Sequence, residues 1–148
     1  MLNSDYKDIL QSLSSKKVKF LLVGAYAMAA HGYPRSTMDI DLWIMPDPAN
    51  AFLVLEALKD FGAPLNDLSP GDFLEKSMVF QIGVAPRRID ILTSVDGLEF
   101  EDAFTNSKLI ELEGISVHVL GIPDLIKNKR CTGRIKDLAD AEALEGSL

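Results

Sequence analysis

Cysteine is nearly missing from this chain: Cys131 is the single one in 148 residues, so no intramolecular disulfide can form and a cysteine-rich zinc site is excluded. Histidine is almost as scarce. His31 and His118 stand alone, with no His/His or His/Glu metal-binding spacing anywhere. The longest apolar run, from Phe20 to Ala30, is too short to cross a bilayer and is broken by Gly24, which argues against a membrane protein. Positive charge is in deficit: 15 Lys and Arg against 22 Asp and Glu give a formal charge of -7, which disfavours a broad phosphate-binding face but allows a local basic patch. Internal repeats and low-complexity tracts are absent. The opening MLNSDYKDIL carries acids and no continuous apolar core, so it does not read as a secretory signal, and the cytoplasm is the expected compartment.

What remains is an ordinary globular composition, 47% hydrophobic and 25% charged. A chain of 148 residues is expected to make one domain, 1–148, which buries about 68 to 70% of its unfolded surface. A helical segment at about 122–146 is expected to pack onto it.

The chemistry concentrates between Phe20 and Ile44, FLLVGAYAMAAHGYPRSTMDIDLWI. Val18 to Val23 reads as a buried strand stopped by Gly24. Ala25 to His31 is rich in helix formers and ends at Gly32, so a short helix should open directly off that strand, with unpaired N–H groups and a dipole that suit an anion. Met38 to Met45 then alternates as a strand. Asp39, Asp41 and Trp43 face one way, Ile40, Leu42 and Ile44 the other. Strand rise sets the two carboxylates roughly 6 to 7 Å apart, where like charges repel by about 2 kcal/mol at an effective dielectric near 20. A cation is expected beside them.

The remaining elements read in order. Ser4 to about Ser14 has one apolar helix face, Tyr6, Ile9, Leu10 and Leu13, with Ser4 as its N-cap. Asp47-Pro48 starts a helix over Ala49 to Phe61, with Phe52, Leu55 and Leu58 inward and Gly62 at its end. Ala63 to Lys76 reads as a loop with a short turn of helix. Met78 to Val84 and Arg88 to Leu92 form a hairpin around Ala85-Pro86-Arg87, and Leu109 to Leu112 and Ser116 to Leu120 form another around Glu113-Gly114. Asp96-Gly97 is a turn before a short helix, Glu99 to Thr105. His118 alternates with valines as an exposed strand position, and His31 sits where a helix C-terminus needs capping. Helices from Ile122 to about Cys131 and from Lys136 to Glu145 close the chain.

Asp90 lies between Ile89 and Ile91. Alone it would be an acid on a solvated strand face; with Asp39 and Asp41 on a neighbouring strand, a third carboxylate completes a metal-binding set. Lys127, Lys129, Arg130, Arg134 and Lys136 put five cations in ten residues without an acid among them. Singly each reads as a solvated helix position. Together they suit a clamp for triphosphate charge, with Asp137 and Asp140 orienting or pairing them.

A strand, Gly24-Ala25 opening a helix, Asp39-Ile40-Asp41 on the next strand, and Asp90 within Arg88-Ile89-Asp90-Ile91 on a later one: this order resembles the nucleotidyltransferase superfamily. It is most similar to the small bacterial AbiEii-type toxin and antitoxin-associated members, which also carry a basic segment matched here by Asn128 to Asp140. The second residue of the family's Gly-Gly or Gly-Ser pair is Ala25 in this chain. The resemblance, over about Val18 to Leu144, implies an α/β (α+β) fold with a mixed central sheet and flanking helices. It implies a metal-dependent transfer of a nucleoside monophosphate from an NTP to a hydroxyl acceptor. In that scheme Asp39, Asp41 and Asp90 hold Mg²⁺ or Mn²⁺, and Asp90 also accepts the acceptor's proton. Gly24, Ala25, Arg35, Ser36 and Lys129, with Arg134 and Lys136 in support, bind the triphosphate. The acceptor stays open among an RNA end, a protein side chain, including that of a cognate toxin or antitoxin, and a small molecule. The alternative is a non-catalytic regulatory or binding subunit of a toxin-antitoxin pair.

Overall fold

A computed structural model of the chain describes residues 2–34, 39–84 and 87–148. Helix α1, Ser4–Ser15, buries Tyr6, Ile9, Leu10 and Leu13 at the spacing of one face. Its cap is Asn3, not Ser4: Asn3 has an extended backbone and its side chain accepts from Tyr6 N at 2.8 Å, whereas Ser4 is already helical. Strand β1, Phe20–Val23, is buried throughout and runs directly into α2, Gly24–Ala30. Strand β2, Ile40–Ile44, is shorter than the alternation suggested, and Asp39 stands just before it.

Helix α3, Pro48–Phe61, has the cap read from Asp47-Pro48, with Asp47 accepting from Asn50 N at 2.8 Å and Gly62 left-handed at the other end. One expectation for α3 fails: Phe52 is 55% exposed, because the buried face runs through Ala51, Val54, Leu55 and Leu58 instead. Asn50 is buried for a reason of its own. It accepts from Lys19 N at 2.8 Å and donates to Lys19 O and Met45 O, fastening the start of α3 to the ends of β1 and β2. The loop at 63–76 contains a 3-10 turn, Pro70–Leu74, that buries Phe73.

Strands β3, Val79–Ile82, and β4, Ile89–Leu92, pair antiparallel as a hairpin whose Ala85-Pro86 tip lies outside the described residues. Helix α4 is Phe100–Thr105. Strands β5, Lys108–Leu112, and β6, Ile115–Val119, turn through Glu113 and Gly114, both at positive φ, as a two-residue hairpin prefers. His118 is half-buried, contrary to its expected exposure: Phe104 of α4 packs on its ring at 4.4 Å, and Nδ1 meets Ser107 Oγ at 3.0 Å. Helices α5, Ile122–Thr132, and α6, Ile135–Glu145, close the chain as a packed pair.

All six strands form one sheet in the order β3-β4-β2-β1-β6-β5, parallel at β2/β4 and β1/β6 and antiparallel elsewhere. Helices α1 and α3 pack on each other and on the sheet, over a core that includes Leu13, Ile40, Leu42 and Ile44. The opposite face of β2 shows Asp41 and Trp43, and Phe100 of α4 packs edge-on to Trp43 at 5.1 Å. Among the described residues no helix is long and apolar enough to cross a membrane.

Candidate active site

The pairing of β2 with β4 is parallel, so residues opposite one another point to the same face. Asp41 lies opposite Asp90, with Asp39 two residues earlier on the same side of the chain. Three carboxylates from two separate segments therefore meet at one end of the central strands. Val23, the last residue of β1, is opposite Asp41, and Gly24 follows it at φ +66°. A Cβ on Gly24 would lie 2.2 Å from Asp41 Oδ2, so only glycine leaves room for that carboxylate.

Arg88 supplies the charge that the sequence reading missed. Its Nε donates to Asp90 Oδ1 at 2.7 Å and its Nη2 to Asp90 Oδ2 at 3.1 Å, and Nη2 lies 3.3 Å from Asp39 Oδ2. Its backbone N donates to Asp39 Oδ1 at 3.0 Å. The signal was present: Arg88 stands two residues before Asp90, the spacing that puts strand side chains on one face. Asp41 fares differently. Burial, then the charge of Asp90, then a hydrogen bond shared with Asp90 and the charge of Asp39 push its carboxyl up to about 7, and Arg88 only partly offsets this. Beneath the site, Tyr6 donates from its hydroxyl to Arg88 O at 3.2 Å.

Asp41 opens onto a cleft of about 650 Å³ whose other walls include Gly24, Ala25 and, from α5 and α6, Lys129, Arg134 and Lys136. The expected basic segment thus shares the cleft with Asp41, but its charges are largely engaged. Lys129 Nζ is 3.3 Å from Asp137 Oδ1 and 3.5 Å from Asp140 Oδ2, and Arg134 Nε donates to Asp137 Oδ2 at 2.8 Å. Thr132 Oγ1 donates to Asp137 Oδ2 at 2.6 Å. Burial alone would raise the Asp137 carboxyl; the hydrogen bonds and charge of Thr132, Lys129 and Arg134 outweigh it and hold the group below the usual carboxylate range. Arg130 turns away to Glu145. Lys127 is exposed beside Asp124. Arg35 and Ser36 lie outside the described residues. His31 takes its expected place at the end of α2 and also reaches Leu120 O through Nε2 at 2.9 Å.

The donor set is all carboxylate oxygen, the chemistry a hard divalent cation prefers, and the charge remaining on the trio after one arginine is what such an ion offsets. Among the described residues no three His, Cys, Asp or Glu side chains are grouped as a metal cage; Asp39 and Asp90 are engaged by Arg88, and Asp41 shares a hydrogen bond with Asp90. A second cleft of about 820 Å³ shares Ser94, Val95 and Asp96 with the first. It is acidic: among the described residues Asp47, Glu75, Asp96, Glu99, Glu101 and Asp102 line it against Lys76 alone. Trp43, also in its wall, is 2% exposed, and its indole N–H has no partner among the described residues.

No model of a known protein family matches the chain, and no curated protein is significantly similar to it in sequence. Its fold has a counterpart among solved structures. The crystal structure of a "putative nucleotidyltransferase" from Thermotoga maritima superposes with a TM-score of 0.60 over 99% of this chain and 94% of that one, at 17% identity. The mixed six-stranded sheet with flanking helices is thus the fold of that protein, as the order of motifs led one to expect.

Proposed function

We propose that this chain is a nucleotidyltransferase that moves a nucleoside monophosphate from an NTP to a hydroxyl acceptor. One observation carries the reading: Asp41 and Asp90 stand in register beside Gly24, with more negative charge than Arg88 relieves, and Asp41 faces a cleft walled by Lys129, Arg134 and Lys136. Asp39, Asp41 and Asp90 would hold Mg²⁺ or Mn²⁺. A bound divalent ion supplies neutralisation of phosphate charge at the reacting centre.

The chain's own part is positioning and proton handling. In the transfer, the acceptor oxygen bonds to the α-phosphorus, the bond from that phosphorus to the bridging oxygen breaks, and pyrophosphate leaves. The acceptor's proton passes to a carboxylate of the trio. Asp90, in register beside Asp41 on the neighbouring strand, would take it; the raised proton affinity of Asp41 belongs to the cation-free trio. Gly24 and Ala25 contribute backbone N–H groups at the cleft wall. Lys136 meets phosphate oxygens first; Lys129 and Arg134 would share themselves between Asp137 and the nucleotide.

The adjoining acidic cleft favours a cationic acceptor, a small molecule or a basic protein segment, over an RNA end. We further place the chain with the AbiEii-type proteins, in the cytoplasm, with a cognate toxin or antitoxin as partner. A non-catalytic subunit of such a pair is the second reading, favoured by the engagement of Lys129 and Arg134 with Asp137. Thermal melts with Mg²⁺ or Mn²⁺, with and without each NTP, separate the two, because a ligand that binds only the native state raises its melting point. A nucleotide shift that needs the cation, together with transfer of label from an α-labelled NTP, is the expected result. No shift with any pair would sink the enzyme.

A further inference from the structure

Arg88 is held in two different ways. Its backbone carbonyl is fixed by structure that has nothing to do with charge: it accepts from Tyr6 Oη of α1 and from Ile40 N of β2, at 3.2 and 3.0 Å. Its side chain is held by carboxylates. The guanidinium takes both oxygens of Asp90, at 2.7 and 3.1 Å, and reaches Asp39 Oδ2 at 3.3 Å, while its own backbone N–H takes Asp39 Oδ1. These are the lone pairs a hard cation would have to use. The Arg88 side chain is also 29% exposed, so it can move to solvent without unpacking the core. Asp41 receives no such fork, and it is Asp41 that faces the cleft.

We propose that Arg88 is the resident counter-ion of the carboxylate trio and competes with its divalent cation, which takes Asp39 and Asp90 only as the guanidinium swings off them. This rests on the reading of the trio as cation ligands. The charge arithmetic agrees: of the three negative charges on the ionised trio a guanidinium offsets one and a divalent ion two, so the ion is the stronger counter-ion for the same oxygens. With Arg88 still forked on Asp90, an ion on Asp41 would lack its other ligands and would sit beside a like charge.

The test compares the full-length wild-type chain with Arg88→Gln, which removes the charge, and Arg88→Lys, which keeps it without the fork. Each is stripped with chelator, melted, and titrated with Mn²⁺ in a calorimeter. Arg88→Gln is expected to melt several degrees below wild type in chelator and yet to bind Mn²⁺ at least tenfold more tightly, so that saturating Mn²⁺ narrows or reverses the gap. Arg88→Lys should fall between the two in affinity. A purely structural arginine would lower both. If wild type binds Mn²⁺ and Arg88→Gln binds it no better, the competition is disproved while the trio remains a cation site. If neither binds, both ideas fall. Should the glutamine variant not fold, Arg88→Lys decides: an affinity no higher than wild type overturns the proposal.

Discussion

Two acid and base clusters meet at the 650 Å³ cleft, one lining it with Thr132, Lys129, Arg134 and Asp137 and the other reaching it through Asp41, and they are built on opposite principles. Around Asp137, one carboxylate receives Thr132, Lys129 and Arg134, and its affinity for a proton drops. Around Arg88, one guanidinium serves Asp39 and Asp90, and Asp41 is left to burial and to its acidic neighbours, so its affinity rises. The first cluster is balanced and ties α5 to α6. The second keeps charge in reserve, which a fold gains nothing from unless a ligand meets it.

The comparison can be broken most visibly through activity. Asp41→Ala should reduce label transfer by about 10³-fold or more, measured with an α-labelled NTP. Undiminished transfer by that variant would remove the trio from catalysis. Next comes Asp137→Asn, which leaves Lys129, Arg134 and Thr132 short of their shared acceptor and should cost about 2 to 3 kcal/mol in urea unfolding. Gly24→Ala places a methyl against Asp41 Oδ2 at a left-handed backbone angle and should cost about 1 to 3 kcal/mol. Only the part due to the clash should return in the double variant Gly24→Ala/Asp41→Ala, because the left-handed angle still strains an alanine there.

A gentler comparison uses pH, and the two clusters should differ in sign. Asp41 in the folded chain holds its proton up to about 7 against 3.8 as the ordinary value, so between about 4 and 7 the native state binds more protons and its stability falls as pH rises. Asp137 is depressed, so its contribution is present above the ordinary range and is lost only as pH falls through its lower value. In chelator at pH 8, Asp41→Asn should therefore be more stable than wild type by about 1 kcal/mol or more, the opposite of Asp137→Asn. Equal signs would show that Asp41 carries no excess charge. At the small end, Arg130→Gln breaks only an exposed pair with Glu145 and should change stability by less than about 0.5 kcal/mol.

Most of the architecture could be read from the chain because local signals and tertiary needs agreed. Asp47-Pro48 and Gly62 bound α3 by local chemistry alone, a side-chain cap at one end and a left-handed glycine at the other, and Glu113-Gly114 dictates its hairpin. Phe52 misled because an apolar residue at helical spacing says nothing about which of two overlapping faces will be covered. His118 misled because the covering group, Phe104, comes from an element whose packing no periodicity records. In the site, the convergence of Asp39, Asp41 and Asp90 followed from alternation plus motif order. The part of Arg88 did not: a pairing of i with i+2 along a strand is visible, but that the same fork reaches Asp39 depends on β2 and β4 being neighbours. Engagement of Lys129 and Arg134 by Asp137 was likewise a matter of how α5 and α6 dock.

Because β2 and β4 run parallel, no short turn joins them, and the whole excursion through α3, the 3-10 turn and β3 lies between the two acids. Residues added within 63–69 would lengthen that excursion and leave the facing carboxylates untouched. Removing one residue between Arg88 and Asp90 would turn the remaining acid to the far side of the sheet. The same chain should thus accept insertions within 63–69 and not a single deletion within 88–90.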